Sequence, residues 1–110
     1  MRLELGDGRV VEIPTPQTMT EDLTTLRVPG CEFAVLEADR PGFYMQTAKN
    51  QDGSFILEHQ EGSLAKHYNL PYVVDLEDVI EAFSSYLLKD DRWRKNHEWQ
   101  KMELKPGTSN

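Results

Sequence analysis

Cysteine, cationic side chains and long apolar runs are all scarce in this sequence, and each scarcity excludes something. The 110 residues include one cysteine, Cys31, so neither an internal disulfide nor a thiolate metal cluster is available. That usage suits a reducing compartment, and Cys31 reads as a small packing residue. No stretch approaches the roughly 20 apolar residues of a membrane-spanning helix, and Met1-Arg2-Leu3-Glu4-Leu5-Gly6-Asp7 has no signal-peptide hydrophobic core. A cytoplasmic protein without membrane association is therefore expected. With 12 Lys and Arg against 19 Asp and Glu the net charge is −7, which disfavours nucleic acid as a partner, because phosphate binding needs cationic side chains to displace counterions. Phosphate-binding glycine loops, zinc-type Cys/His spacings and nucleophile elbows are also missing, so no catalytic residue, metal or cofactor is assigned.

What is present describes one α+β domain over residues 1–104, followed by a tail, 105–110, expected to be mobile. Residues 1–88 hold 15 Asp and Glu against 6 Lys and Arg, whereas 89–110 hold 4 against 6, so the acidic surface belongs to the body of the domain. Leu3-Glu4-Leu5 and Val10-Val11-Glu12-Ile13 flank Gly6-Asp7-Gly8 and predict a β-hairpin, ended by Pro14 and Pro16. Thr20 ahead of Glu21-Asp22, with Leu23 and Leu26 three apart, predicts a short helix or turn within 17–27. Phe33-Ala34-Val35-Leu36 reads as a central strand covered on both faces.

A meander follows, with strands at Phe43–Lys49, Ser54–Gln60 and Leu64–Leu70. Asn50-Gln51-Asp52-Gly53 suits a three-residue hairpin loop with a bulge, which sets Asn50 opposite Ser54. That register puts Phe43, Met45, Thr47, Phe55 and Leu57 on one face, and a two-residue turn at Glu61-Gly62 adds Leu64, Tyr68 and Leu70. A one-residue slip would turn Phe43 and Met45 to water. The clearest helix starts at Asp75: Leu76, Val79, Ile80, Phe83 and Leu87 recur at helical spacing, Asp75 and Asp78 form a capping box, and Val74 can staple onto Val79. A last strand is placed at Glu98–Leu104. The predicted architecture is an antiparallel sheet of about five or six strands with the Asp75–Leu88 helix packed across one face.

Three groups of residues are candidates for function. Tyr44, Gln46, Glu58 and His67 share the sheet face away from the core, where Glu58 and His67 form either an acid–base pair or an ordinary cross-strand polar pair. His59 points to the other face, so the two strand histidines cannot share a metal. Glu77, Asp78 and Glu81, with Asp75, line the start of the main helix; they either serve its cap and dipole or steer a basic partner. No Lys or Arg lies between residues 67 and 88 to neutralise them. Trp93 and Trp99 either pack the C-terminal segment onto the domain or mark a binding hot spot; Trp99 is the more buried in this reading and Trp93, flanked by arginines, the more exposed, which makes Trp93 the binding candidate.

Phe33-Ala34-Val35-Leu36-Glu37, the pair Tyr44-Met45-Gln46-Thr47 and Phe55-Ile56-Leu57-Glu58-His59, and Glu77 through Leu87 followed by Trp93 and Trp99 together resemble small immunity proteins of bacterial polymorphic-toxin systems. The resemblance covers roughly residues 30–104. It implies a non-catalytic protein-binding module that neutralises a cognate toxin, and an acidic inhibitor suits a basic, nucleic-acid-binding toxin. The competing readings are a housekeeping domain that self-associates through a sheet edge and a small enzyme using Glu58 and His67.

Overall fold

A computed structural model describes residues 1–102. The element order is β1 (Arg2–Leu5), β2 (Val10–Val11), α1 (Pro16–Thr24), β3 (Phe33–Glu37), β4 (Phe43–Lys49), β5 (Phe55–Glu61), β6 (His67–Asn69), α2 (Leu76–Leu87), α3 (Arg92–Lys95) and β7 (Gln100–Lys101). All seven strands join one antiparallel sheet in the order β2-β1-β3-β4-β5-β6-β7. The α+β class is as predicted, and the sheet is slightly larger. Predicted tail residues 105–110, and the end of the predicted last strand, lie outside the described residues.

The hairpin between β4 and β5 has the register expected from its loop. Asn50 N–H donates to Ser54 O (2.8 Å), Gly53 N–H to Asn50 O (3.0 Å), and Gly53 has φ +89°, so Gln46 falls opposite Glu58 and Thr47 opposite Leu57. One face of the sheet is therefore apolar: Leu3, Leu5, Ala34, Leu36, Met45 and Leu57 are buried there with Met19 and Leu23 of α1 and Val79 and Phe83 of α2. Asp75 caps α2, accepting from Asp78 N–H (2.9 Å), while Asp78 accepts from Asp75 N–H (3.3 Å). Val74 and Val79 are both buried, as a staple requires. No helix among the described residues is long and apolar enough to cross a membrane.

Several local expectations are corrected. β3 is the third strand of seven and is covered on one face only: Ala34 and Leu36 are buried, but Phe33 is 41% exposed, so its apolar run is not that of a doubly covered strand. β4 holds the centre. The helix in the 17–27 region begins at Pro16, which is its first-turn proline, and Thr15 caps it in place of Thr20. β2 ends at Val11, leaving Ile13 exposed.

The strand predicted from Leu64 starts only at His67, because Leu64–Lys66 form a 3₁₀ turn, and Leu64 is 56% exposed. His59 consequently pairs with Tyr68, whereas a two-residue turn at Glu61-Gly62 would have set it opposite Leu64. The offset is four residues, an even number, so Tyr68 and Leu70 keep the face expected of them. Among the described residues the last strand is Gln100–Lys101, starting two residues later than expected.

Candidate functional site

The face opposite the helices carries the sheet's outward side chains in transverse rows fixed by the pairing. Phe33, Ala48 and Ile56 make one row; Val35, Gln46, Glu58 and Asn69 the next; Glu37, Tyr44, Gln60 and His67 the third. Phe33 and Ile56 are 41% and 37% exposed, although both are large apolar residues. Arg2 lies at the margin, within 3.0 Å of Glu4 and 3.4 Å of Glu37.

The structure brings all four predicted residues of this face together. Gln46 Nε2 donates to Glu58 Oε1 at 2.7 Å, and His67 Nε2 lies 3.1 Å from the same oxygen. His67 Nδ1 lies 3.0 Å from Gln60 Oε1, which also accepts from Tyr44 OH at 3.1 Å. Gln60 was not singled out from the sequence, yet it is buried and links the two halves of the network. The signal was available, since the predicted register already set Gln60 opposite Tyr44.

The orientation of Gln60 follows from its neighbours, because its Nε2 donates to Gly42 O at 3.2 Å and an inverted amide would set two acceptors against each other. Both ring nitrogens of His67 thus face oxygen acceptors. Which of the two nitrogens donates depends on the tautomer. Burial, and then the charge of Glu58, raise the pKa of the Tyr44 phenol, which keeps it a donor to Gln60. Chemically the cluster is a closed hydrogen-bonded set: His67 is buried and has no nitrogen left for a substrate proton.

The acidic helix start is less available than the sequence suggested. Asp78 is half-buried and turned to the cap, where burial and then Asp75 raise its pKa. Glu77 has a cation after all, Arg27, at 3.4 Å, although none lies near it in sequence. Glu81 is exposed and accepts from Asn96 Nδ2 at 3.4 Å.

The assignment of the tryptophans is reversed. Trp93 is buried, 8% exposed, and Trp99 only half-buried. The cause is Ser85, wholly buried on α2, whose Oγ accepts from the Trp93 N–H at 3.0 Å and also bonds Asp90. That bond draws the start of α3 inward. The Trp93 ring then meets His59, Tyr86 and Trp99 at 4.8, 5.3 and 5.9 Å between centroids, and Arg94 lies over it at 4.5 Å. Trp99 Nε1 donates to Trp93 O at 2.9 Å. Trp93 is a packing residue, not an exposed contact.

His59 sits within the same cluster, stacked on Tyr68 at 4.8 Å and edge-on to Trp99 at 4.5 Å. Its Nδ1 is buried without a hydrogen-bond partner, 3.7 Å from Glu61 Oε2. Burial lowers the ring's pKa from 6.5 to about 4, Glu61 opposing this and Arg94 and His67 adding to it. His59 and His67 do face opposite sides of the sheet. Among the described residues no group of three or more His, Cys, Asp or Glu could hold a metal ion.

The fold and its open sheet face define the class, a helical layer on one side of an antiparallel sheet. Comparison with protein-family models, with curated proteins and with solved structures gives no match to this chain.

Proposed function

We propose that the chain is a non-catalytic protein-binding module of the toxin-neutralising kind, whose basic partner sits on the open face of the sheet. The observation that carries this reading is the composition of that face: exposed Phe33 and Ile56 beside a polar network already fixed in place. Apolar anchors next to preorganised hydrogen-bonding groups suit a protein interface, because little side-chain entropy remains to be lost on binding. Charge supplies the sign of the partner. Glu4, Glu37 and Glu58 stand on this face against Arg2, and the whole chain carries −7. The same reading puts the protein in the cytoplasm, where the buried lone Cys31 stays a thiol.

The alternatives draw less support. Among the described residues both sheet edges are two-residue strands, Val10–Val11 and Gln100–Lys101, which offer little backbone for edge-to-edge self-association. Both ring nitrogens of His67 already lie within hydrogen-bond distance of side-chain oxygens, which lends a Glu58/His67 enzyme little support.

Affinity capture from the native host at low salt tests the proposal. A basic protein is expected to be recovered, with Ile56→Lys weakening its binding by about tenfold or more, as for an interface anchor. Glu77→Gln with Glu81→Gln should change the association rate by no more than about twofold. Failure to recover a basic partner, or a partner indifferent to Ile56→Lys, overturns the reading. Loss of cellular function in His67→Ala with unchanged melting temperature and intact partner binding would restore the enzyme.

A further inference from the structure

A second concave surface lies on the helix side of the sheet edge, a cleft of about 420 Å³ between β5, β6 and the segment after α3. Tyr68 and Trp99 supply aromatic walls, Glu61, Arg94 and Glu98 the charges, and His59 a wall that is 2% exposed. We infer that this cleft receives an arginine side chain that the partner extends around the sheet edge from the open face, with the guanidinium stacked on the Trp99–Tyr68 wall and paired with Glu98. The inference rests on the proposed function for the source of the arginine, and on the cleft alone for the chemistry.

Three observations carry it. First, a guanidinium is already held in this manner beside the cleft: Arg94, one of its lining residues, lies over the neighbouring Trp93 ring at 4.5 Å and bonds Glu61 Oε2 at 3.1 Å. An indole face plus a carboxylate is a favourable seat for a flat cation. Within the cleft the lining offers the same two kinds of group, the indole of Trp99 and the carboxylate of Glu98. Glu98 is exposed, and among the described residues its carboxylate has no ion-pair partner.

Second, the unpartnered Nδ1 of His59 lies beside Glu61, a residue of the cleft wall. A buried polar atom without a partner is rare, and a ligand rich in N–H donors is one that could satisfy it. The lowered pKa of His59, about 4, keeps the ring neutral at ordinary pH, so it does not repel a cation. Third, the charge excludes the opposite ligand. An anion would meet Glu61 and Glu98 and find Arg94 already paired. A lysine ammonium would find the carboxylate but lacks the flat face that the aromatic wall matches.

The chain has two tryptophans, and both belong to this cluster, so intrinsic fluorescence reports on the cleft directly. Full-length protein titrated with N-acetyl-argininamide should give a saturable change with a dissociation constant on the order of 1–10 mM, weak because one side chain supplies few contacts. The citrulline analogue, equal in shape but uncharged, should bind at least about tenfold more weakly, and the lysine analogue should fall between them. Glu98→Gln, an exposed substitution that leaves the core intact, should weaken arginine binding about fivefold or more. Equal responses to arginine and citrulline, no response up to about 50 mM, or indifference to Glu98→Gln would overturn the inference. If arginine fails while Ile56→Lys still abolishes partner capture, this inference falls and the proposed function stands. If arginine binds but Glu98→Gln leaves partner affinity unchanged, the arginine does not come from the partner and the inference fails.

Discussion

Replacing His59 by phenylalanine should remove a pH-dependent loss of stability without weakening the fold at neutral pH. The imidazole is 2% exposed, lies between Tyr68, Trp93 and Trp99, and leaves its Nδ1 unpaired. A phenyl ring keeps the stacking and edge contacts and carries no polar atom to desolvate. The unmet hydrogen bond costs about 1–3 kcal/mol, while the slightly larger ring costs part of that gain in tighter packing. At pH 7 the variant should therefore be equal to wild type or up to about 2 kcal/mol more stable.

Acid makes the sharper test. Below its ordinary pKa of 6.5 the unfolded histidine takes up a proton that the folded ring refuses until about pH 4. Stability from this group is thus complete above 6.5, falls as the pH drops, and is fully lost below about 4. At about 1.4 kcal/mol per pKa unit the loss is roughly 3 kcal/mol. Urea unfolding followed by far-ultraviolet circular dichroism, at several pH values between about 7 and 4, gives both curves. Titrating groups remote from His59 act alike in the two proteins, so their difference reports His59 together with its coupling to Glu61 and His67. Parallel curves across that window, or a variant more than about 1.5 kcal/mol less stable at pH 7, would refute the reasoning.

Two further substitutions test the packing. Phe83→Ala empties the wholly buried centre of the helix–sheet layer and should cost about 3–5 kcal/mol, read as a lower denaturant midpoint at unchanged slope; a near-neutral effect would mean that the ring is not close-packed. Ser85→Ala should cost about 1–3 kcal/mol, because it leaves the Trp93 N–H buried without an acceptor, and it should shift tryptophan emission as α3 loosens. Unaltered emission would show that Ser85 does not hold Trp93 in place.

Features written in short stretches of sequence were legible. The Asn50-Gln51-Asp52-Gly53 loop determined the β4–β5 register, and with it the meeting of Gln46 and Glu58. Spacing and the Asp75/Asp78 box located α2 to within a residue of each end. Interactions between distant residues were not legible. The Ser85–Trp93 bond spans eight positions and reversed the assignment of the tryptophans, and the Arg27–Glu77 pair spans fifty. The early start given to β6 has a different origin, since Leu64 looks like a strand residue until the chain's 3₁₀ turn exposes it. β3 misled for a related reason: four consecutive apolar residues match a doubly covered strand, but only alternate ones are buried.

β6 is three residues long, yet two neighbourhoods depend on it. Its pleat sends His67 to Glu58 and Gln60 on the open face and Tyr68 to His59 on the other, while the His67 carbonyl accepts from Met102 N–H. A strand so short has no interior to absorb a displacement. It acts as a lever with a very short arm: whatever pulls on His67 also moves Tyr68 against the aromatic cluster and strains the pairing of the chain's last described residues. Tryptophan emission is for that reason a readout of the polar network on the far side of the sheet, and not only of the cleft in which the indoles lie.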